Sequence, residues 1–257
     1  MNNNVVRAFA NGTAFMPFIM GGDPDLPTTE KLLRTLYENG ADLIEIGIPF
    51  SDPVAEGPVI EAAAERALAA GCTVDKLFEM VTRVKKDIPI PLLFMTYYNP
   101  IFVYGADKFS QRCVECGIEG LIVPDLPLEE MAELRVITDA HDLALISLIS
   151  PTSQGRIKQI VDTAEGFLYC VSNLGVTGER DKLGQSAAQM VAEVKKIRDI
   201  PCAVGFGIST AEQASEVAKF ADGVIVGSAI VRIIAEHGRE SVEPVAAFAK
   251  GIKAATE

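Results

Sequence analysis

The sequence predicts an α/β fold closed into a (β/α)8 barrel, and three observations carry that reading. Short apolar segments alternate with helical patterns along 257 residues, and roughly eight such units in this length is the arithmetic of a barrel. The short segments are continuously apolar and rich in Ile, Val and Leu, as strands covered on both faces are. Alternating βα units imply parallel strands joined by right-handed crossovers. A doubly wound open sheet is the alternative, but the first βα turn, Gly21-Gly22-Asp23-Pro24, lacks the glycine fingerprint of a dinucleotide site.

Each element can be justified in turn as part of a single domain over residues 1–257. An N-terminal helix within residues 1–12, with Val5, Val6 and Phe9, precedes the first strand at 14–20. Thr28 is placed as the cap of a helix with Leu32, Leu33, Leu36 and Tyr37 on one face, stopped by Asn39-Gly40. The second strand carries Leu43, Ile44 and Ile46 and is broken at Gly47 and Pro49. A helix then opens at Pro58 and ends at Gly71, and Thr73 starts the next. Strands three to eight are predicted at 90–95, 120–123, 143–148, 166–171, 201–204 and 223–226. Thr96-Tyr97-Tyr98-Asn99-Pro100 reads as a polar-aromatic loop, and Gly117 ends the helix that holds Cys113 and Cys116. Residues 172–184 lack an apolar pattern. They are either a lid over a site or an ordinary solvated connection. Ser186-x-x-Gln189 and Ser209-x-x-Glu212 read as capping boxes of the two helices that follow, and the last helix starts at Pro244.

Composition narrows the function. Hydrophobic residues make up 49% and charged residues 23%, which suits a large core. The balance of 23 basic against 35 acidic residues, a net −12, argues against nucleic acid as a partner. An anionic ligand would be held by backbone N–H groups and helix ends rather than by a basic surface. Five cysteines at irregular spacing do not form a disulfide framework and fit a reducing compartment. Cys113-x-x-Cys116 has no second pair and no nearby His, so no metal site is expected. There is no signal-peptide run and no apolar stretch of about 18 residues, so the chain reads as soluble and cytoplasmic, with no membrane partner.

In a barrel of this kind the active site lies where the strands end. There Glu45 stands out, an acid within an apolar strand. An ionised carboxylate is costly to bury alone. Glu45 is therefore either solvated or ion-paired, or it is an acid/base group with a raised pKa. Gly205-Phe206-Gly207-Ile208-Ser209 follows strand seven, and Gly227-Ser228 follows strand eight and opens a helix. Glycines there admit an anion, and the N–H groups of a helix start can bind it. Gly207, Ile208, Gly227 and Ser228 are the candidate phosphate site; ordinary turns after the two strands are the alternative for each glycine taken singly. His141 and His237 lie near helix ends as surface residues and support no His-based mechanism.

Several segments carry a resemblance: PFIMGGDP at 17–24, GIPFSDP at 47–53 with Glu45 two residues before it, MTYYNP at 95–100, PDLP at 124–127, GVTG at 175–178, GFGIS at 205–209 and GSAIV at 227–231. In order and spacing, over nearly the whole chain, they resemble the tryptophan synthase alpha subunit family. The resemblance implies a TIM barrel and a cofactor-free lyase. The lyase cleaves indole-3-glycerol phosphate by a retro-aldol reaction to indole and glyceraldehyde 3-phosphate. Indole would pass to a beta subunit in an α2β2 heterotetramer. By the same resemblance Glu45 is the acid/base group, and the second catalytic carboxylate is Glu56. Thr177 and Gly178 belong to the lid, with Gly178 also at the phosphate. Phe18, Tyr97, Leu121, Tyr169 and Phe206 line the indole slot. Barrel filling is the alternative for the large apolar residues among them. Asp52, Pro53, Asn99 and Pro100 face the partner; a helix-entry charge favoured by the dipole is the alternative for Asp52. One position departs from the family: Glu56 stands where the pattern SDP-x-A-D-G-P has aspartate. A misplacement of about 1 Å can cost about 100-fold in rate. The chain is expected to be a working lyase with an adjusted loop; the alternatives are a catalytically impaired alpha-like subunit that mainly activates its partner allosterically, or a divergent form with another substrate.

Overall fold

A computed structural model of the protein describes residues 4–153, 155–171, 180–205 and 207–257, without the side chains of residues 180–185. The strands are β1 (Ala14–Met20), β2 (Ile44–Gly47), β3 (Leu92–Met95), β4 (Gly120–Ile122), β5 (Ala144–Ile149), β6 (Leu168–Val171), β7 (Cys202–Gly205) and β8 (Gly223–Val226). They pair in parallel and in chain order, and β8 closes on β1. The predicted (β/α)8 barrel is present, and the open sheet is excluded.

Around it lie α1 (Leu26–Glu38), α2 (Pro58–Ala69), α3 (Val74–Val84), α4 (Tyr98–Tyr104), α5 (Ala106–Cys116) and α6 (Met131–Ala140). The second half adds α7 (Ile157–Thr163), α8 (Arg180–Ile197), α9 (Ala211–Ala218), α10 (Ser228–His237) and α11 (Val242–Thr256). Strand side chains alternate between two layers, as a period of two requires. Met16, Leu43, Leu93, Ile122, Ile146 and Phe167 fill the interior of the barrel. Ile19, Ile44, Phe94, Leu121, Leu145 and Leu168 pack against the helices.

The N-terminal helix is a short 3-10 helix, Val5–Phe9, within the expected residues 1–12. Val5, Ala8 and Phe9 join the interior layer, with the Phe9 ring 5.5 Å from Phe167. Arg7 ties the segment down through Glu119 (2.8 Å) and the Pro89 carbonyl (3.0 Å). This plug seals the barrel where the strands begin and leaves the site to the other end.

Several helix ends differ from the sequence reading by a few residues. Asp25, not Thr28, caps α1, accepting the Thr28 N–H at 2.8 Å. The capping box of α9 is Thr210 with Gln213, one residue beyond the Ser209/Glu212 pair. Tyr98, Asn99 and Pro100 are the first turn of α4 rather than a loop, because proline is tolerated before a helix needs its N–H groups. Helix α8 begins at Arg180, so Ser186 lies inside it and caps nothing. The rest of the expected lid, residues 172–179, lies outside the described residues. Among the described residues no helix is long and apolar enough to cross a membrane, and all five cysteines are free and buried.

Candidate active site

Strand β2 sets Glu45 on the inner face, in register with Phe18 of β1 and Leu93 of β3. The residue is fully buried, and neither carboxylate oxygen has a hydrogen-bond partner among the described residues. The solvated or ion-paired alternative therefore does not hold. Burial pushes its pKa well above the usual carboxylate range, because no partner repays the cost of ionising it. Tyr169, also buried, is pushed up by burial and then by the nearby Glu45 charge.

Two aromatic rings cross the mouth of the barrel, and two glycines make room for them. A Cβ on Gly47 would lie 2.7 Å from Phe18 Cζ, and one on Gly205 would lie 2.7 Å from Tyr169 Oη. Above the rings is a cavity of about 450 Å³. Phe18, Tyr169 and Ile225 form its floor, with Met95, Pro124 and Leu148 on one side. Gly207, Gly227 and Ser228 stand on the opposite side. Gly227 is the N-cap of α10, whose first N–H groups have no intrahelical partner. Ile208 is buried beside them but off the wall.

Glu56 lines the cavity with Ala55, Gly57 and Ile60, at the entry to α2. Its pKa is raised to about 7, first by burial and then by the charge of Glu61. Tyr97 does not line the cavity. Its buried ring packs on Phe50 at 5.6 Å, and its hydroxyl accepts the Ala55 N–H at 3.1 Å, so it holds the Glu56 loop from behind. Leu121 also departs from the expectation: it points outward to the helices, and Ile122 takes the interior position. Asp52 is exposed beside Pro53, and Asn99 is exposed beside Pro100. Thr177, Gly178 and Phe206 lie outside the described residues.

Part of the wall was not legible in the sequence. Ser147, Ser150, Ser153 and Arg156, around the end of β5, line the cavity, as do Leu126, Leu128 and Met131. Nor was a clamp legible between α2 and the end of β1, where Arg66 donates twice to buried Asp23, at 2.8 Å each. Among the described residues no cluster of His, Cys, Asp or Glu could hold a metal ion.

Fold and cavity define the class first: a parallel (β/α)8 barrel enzyme with an apolar, carboxylate-flanked cavity where the strands end. A family model described as tryptophan synthase alpha chain matches residues 7–257. The tryptophan synthase alpha chain of Lacticaseibacillus casei is 45% identical over 99% of this chain and 96% of its own. That of Methanosarcina mazei is 48% identical over 93% and 88%. The crystal structure of the alpha subunit from Legionella pneumophila covers 100% of this chain and 98% of its own, with 38% identity and a TM-score of 0.90. A structure of the α2β2 tryptophan synthase complex from Pyrococcus furiosus, concerned with mutual activation, matches with 36% identity and a TM-score of 0.87 over 93% and 97%. The chain belongs to the tryptophan synthase alpha chain family and is a carbon–carbon lyase of tryptophan biosynthesis acting on indole-3-glycerol phosphate.

Proposed function

We propose that Glu45 carries the proton transfers of this retro-aldol cleavage and that Glu56 stabilises the charge it creates. The carboxylic acid of Glu45 gives its proton to the indole ring carbon that bears the glycerol chain. Positive charge then develops at the ring nitrogen, whose N–H faces the Glu56 carboxylate. The Glu45 carboxylate takes the proton of the adjacent glycerol hydroxyl as the carbon–carbon bond breaks. The bonding electrons return to the ring, and indole and glyceraldehyde 3-phosphate result with no net change in protons. A group that must both give and take a proton works best with a pKa near working pH. Glu45 pairs in register with Phe18 and does not line the cavity, so this mechanism requires its side chain to turn toward the substrate when the site is occupied.

The phosphate is held by N–H groups at Gly207, Ile208, Gly227 and Ser228. Thr177 and Gly178, outside the described residues, keep the lid and phosphate roles that the family resemblance implies. Phe18, Tyr169 and Phe206 flank the ring. The longer Glu56 supports a working enzyme over an impaired subunit, since it borders the cavity at the entry to α2. The observation that carries the reading is a buried carboxyl with no partner among the described residues, close to an apolar cavity with a glycine-rich helix start in its wall. The test is release of indole from indole-3-glycerol phosphate. Glu45→Gln is expected to lower it by at least about 100-fold, the usual worth of a positioned acid/base group. An undiminished rate would sink the assignment.

The chain also assembles with a tryptophan synthase beta subunit as an α2β2 complex in the cytoplasm and hands indole to it. Besides Asp52, Pro53, Asn99 and Pro100, exposed apolar side chains support this: Val54 at 78%, Phe102 at 70% and Val103 at 75%. They stand on the β2–α2 loop and on α4, which Tyr97 joins, and clustered exposed apolar groups mark a docking face.

A further inference from the structure

The cavity reaches past the mouth of the barrel on one side. On β5, Ala144, Ile146 and Leu148 face the interior, whereas Leu145, Ser147 and Ile149 alternate toward the helices. Ser147 and Ile149 nevertheless line the cavity, together with Met131 of α6 and Ile160 of α7. Lining from the outer face of a strand and from two helices packed on it means that the cavity continues into a recess behind β5. Met131 and Ile160 keep 7% and 6% exposure, while their helix neighbours Leu134 and Val161 have 1% and 0%. Leu126 and Leu128, after β4, also line it. Charge stays at the rim, where Arg156 pairs with Glu129 at 2.9 Å and both are at least half exposed. Ser150 is satisfied by Thr152 (2.8 Å) and Ser153 (3.3 Å). Ser147 is not: it is 1% exposed, and its Oγ has no partner among the described residues. A buried hydroxyl left without a partner forfeits its hydration, so a ligand that bonds it gains.

We infer that this recess extends the ring site and admits indoles bearing a small neutral group on the six-membered ring, a hydroxyl being met by Ser147 Oγ. This rests on the lyase reading of the same cavity, which also fixes the orientation. With the phosphate at the ends of β7 and β8 and the ring N–H at Glu56, the six-membered ring is turned toward Met95, Pro124 and Leu148, beside the recess. Apolar walls exclude a charged substituent there.

The test runs the reaction in the synthetic direction. A bond forms between the indole ring carbon and the aldehyde carbon of glyceraldehyde 3-phosphate, and the displaced ring proton ends on the new hydroxyl. Indole is compared with methylindoles and hydroxyindoles substituted at each carbon of the six-membered ring in turn. At one position the methylindole is expected to keep kcat/KM within about tenfold of indole. Its hydroxy counterpart should exceed it by about fivefold, the worth of one hydrogen bond to a buried group. Ser147→Ala should bring that hydroxy-to-methyl ratio close to one. Met131→Phe, which fills the recess, should lower the ratio of substituted to plain indole by about tenfold. Exclusion of substituted rings at every position, or ratios that neither variant moves, overturns the inference and leaves the lyase reading intact. Failure to condense indole itself overturns both. Ser147→Ala removes a single atom and keeps the test open if Met131→Phe does not fold.

Discussion

Glu56 shows how one side chain can set the pH response of the site. Its carboxyl titrates at about 7, raised by burial and by Glu61. Its proposed role needs the charged form, so kcat/KM for cleavage is expected to fall as pH drops through about 7. Glu61→Gln removes the like charge and should move that limb to lower pH. Glu56→Asp, with its carboxyl drawn back, should do the same for want of burial. Profiles that coincide for all three proteins would take Glu56 out of the mechanism. How legible such residues are depends on what makes them unusual. Glu45 was visible because an acid in the run Leu43–Glu45–Ile46 contradicts its surroundings. Ser147 was not, because a serine in a strand is ordinary until the helices over it leave space. Leu121 was misread for a different reason: adjacent strand residues face opposite layers, and composition does not say which of Leu121 and Ile122 points in.

At the scale of elements, the loop bearing Glu56 is fixed from two sides. Tyr97 holds Ala55, and the Asp23–Arg66 pair joins the end of β1 to α2. Asp23 is fully buried while Arg66 is 36% exposed. Removing Arg66 strands a buried carboxylate, which costs about 3–5 kcal/mol for a fully buried pair and less where water reaches one partner. Arg66→Ala is therefore expected to lose about 2 kcal/mol in denaturant unfolding. It should also slow indole release through the displaced loop; unchanged stability would show that Asp23 finds another donor. Gly205→Ala tests the opposite side of the mouth. Its Cβ would meet Tyr169 Oη at 2.7 Å, and overpacking of this kind costs about 1–3 kcal/mol. A wild-type midpoint would mean that the ring moves freely. The strands themselves were readable within about two residues from apolar runs and the turns between them. Caps and the start of α4 were not, because Asp25 and Thr28, or Ser209 and Thr210, offer the same chemistry one turn or one residue apart.

For the molecule as a whole, the closed sheet and the N-terminal plug force function and stability into opposition. The plug fills one end and Glu45 is fully buried, so the barrel holds in its interior an acid with no partner among the described residues. The native state binds a proton there more tightly than the unfolded chain does. Below an unfolded value near 4.5 both states are protonated and the site costs nothing through charge. As pH rises from there through the raised native pKa, the unfolded chain ionises first, and stability is lost. Glu56 adds to the same trend between 4.5 and about 7. Self-repulsion from the net charge of −12 also grows with pH, but it acts almost equally on variants. Comparing Glu45→Gln with the wild type therefore isolates the buried acid. The variant's advantage in urea midpoint is expected to widen between about pH 5 and about pH 8, while indole release stays lost. A difference that does not change over this range would mean that Glu45 ionises in the folded barrel as readily as in the unfolded chain, which would leave it with no raised pKa to use.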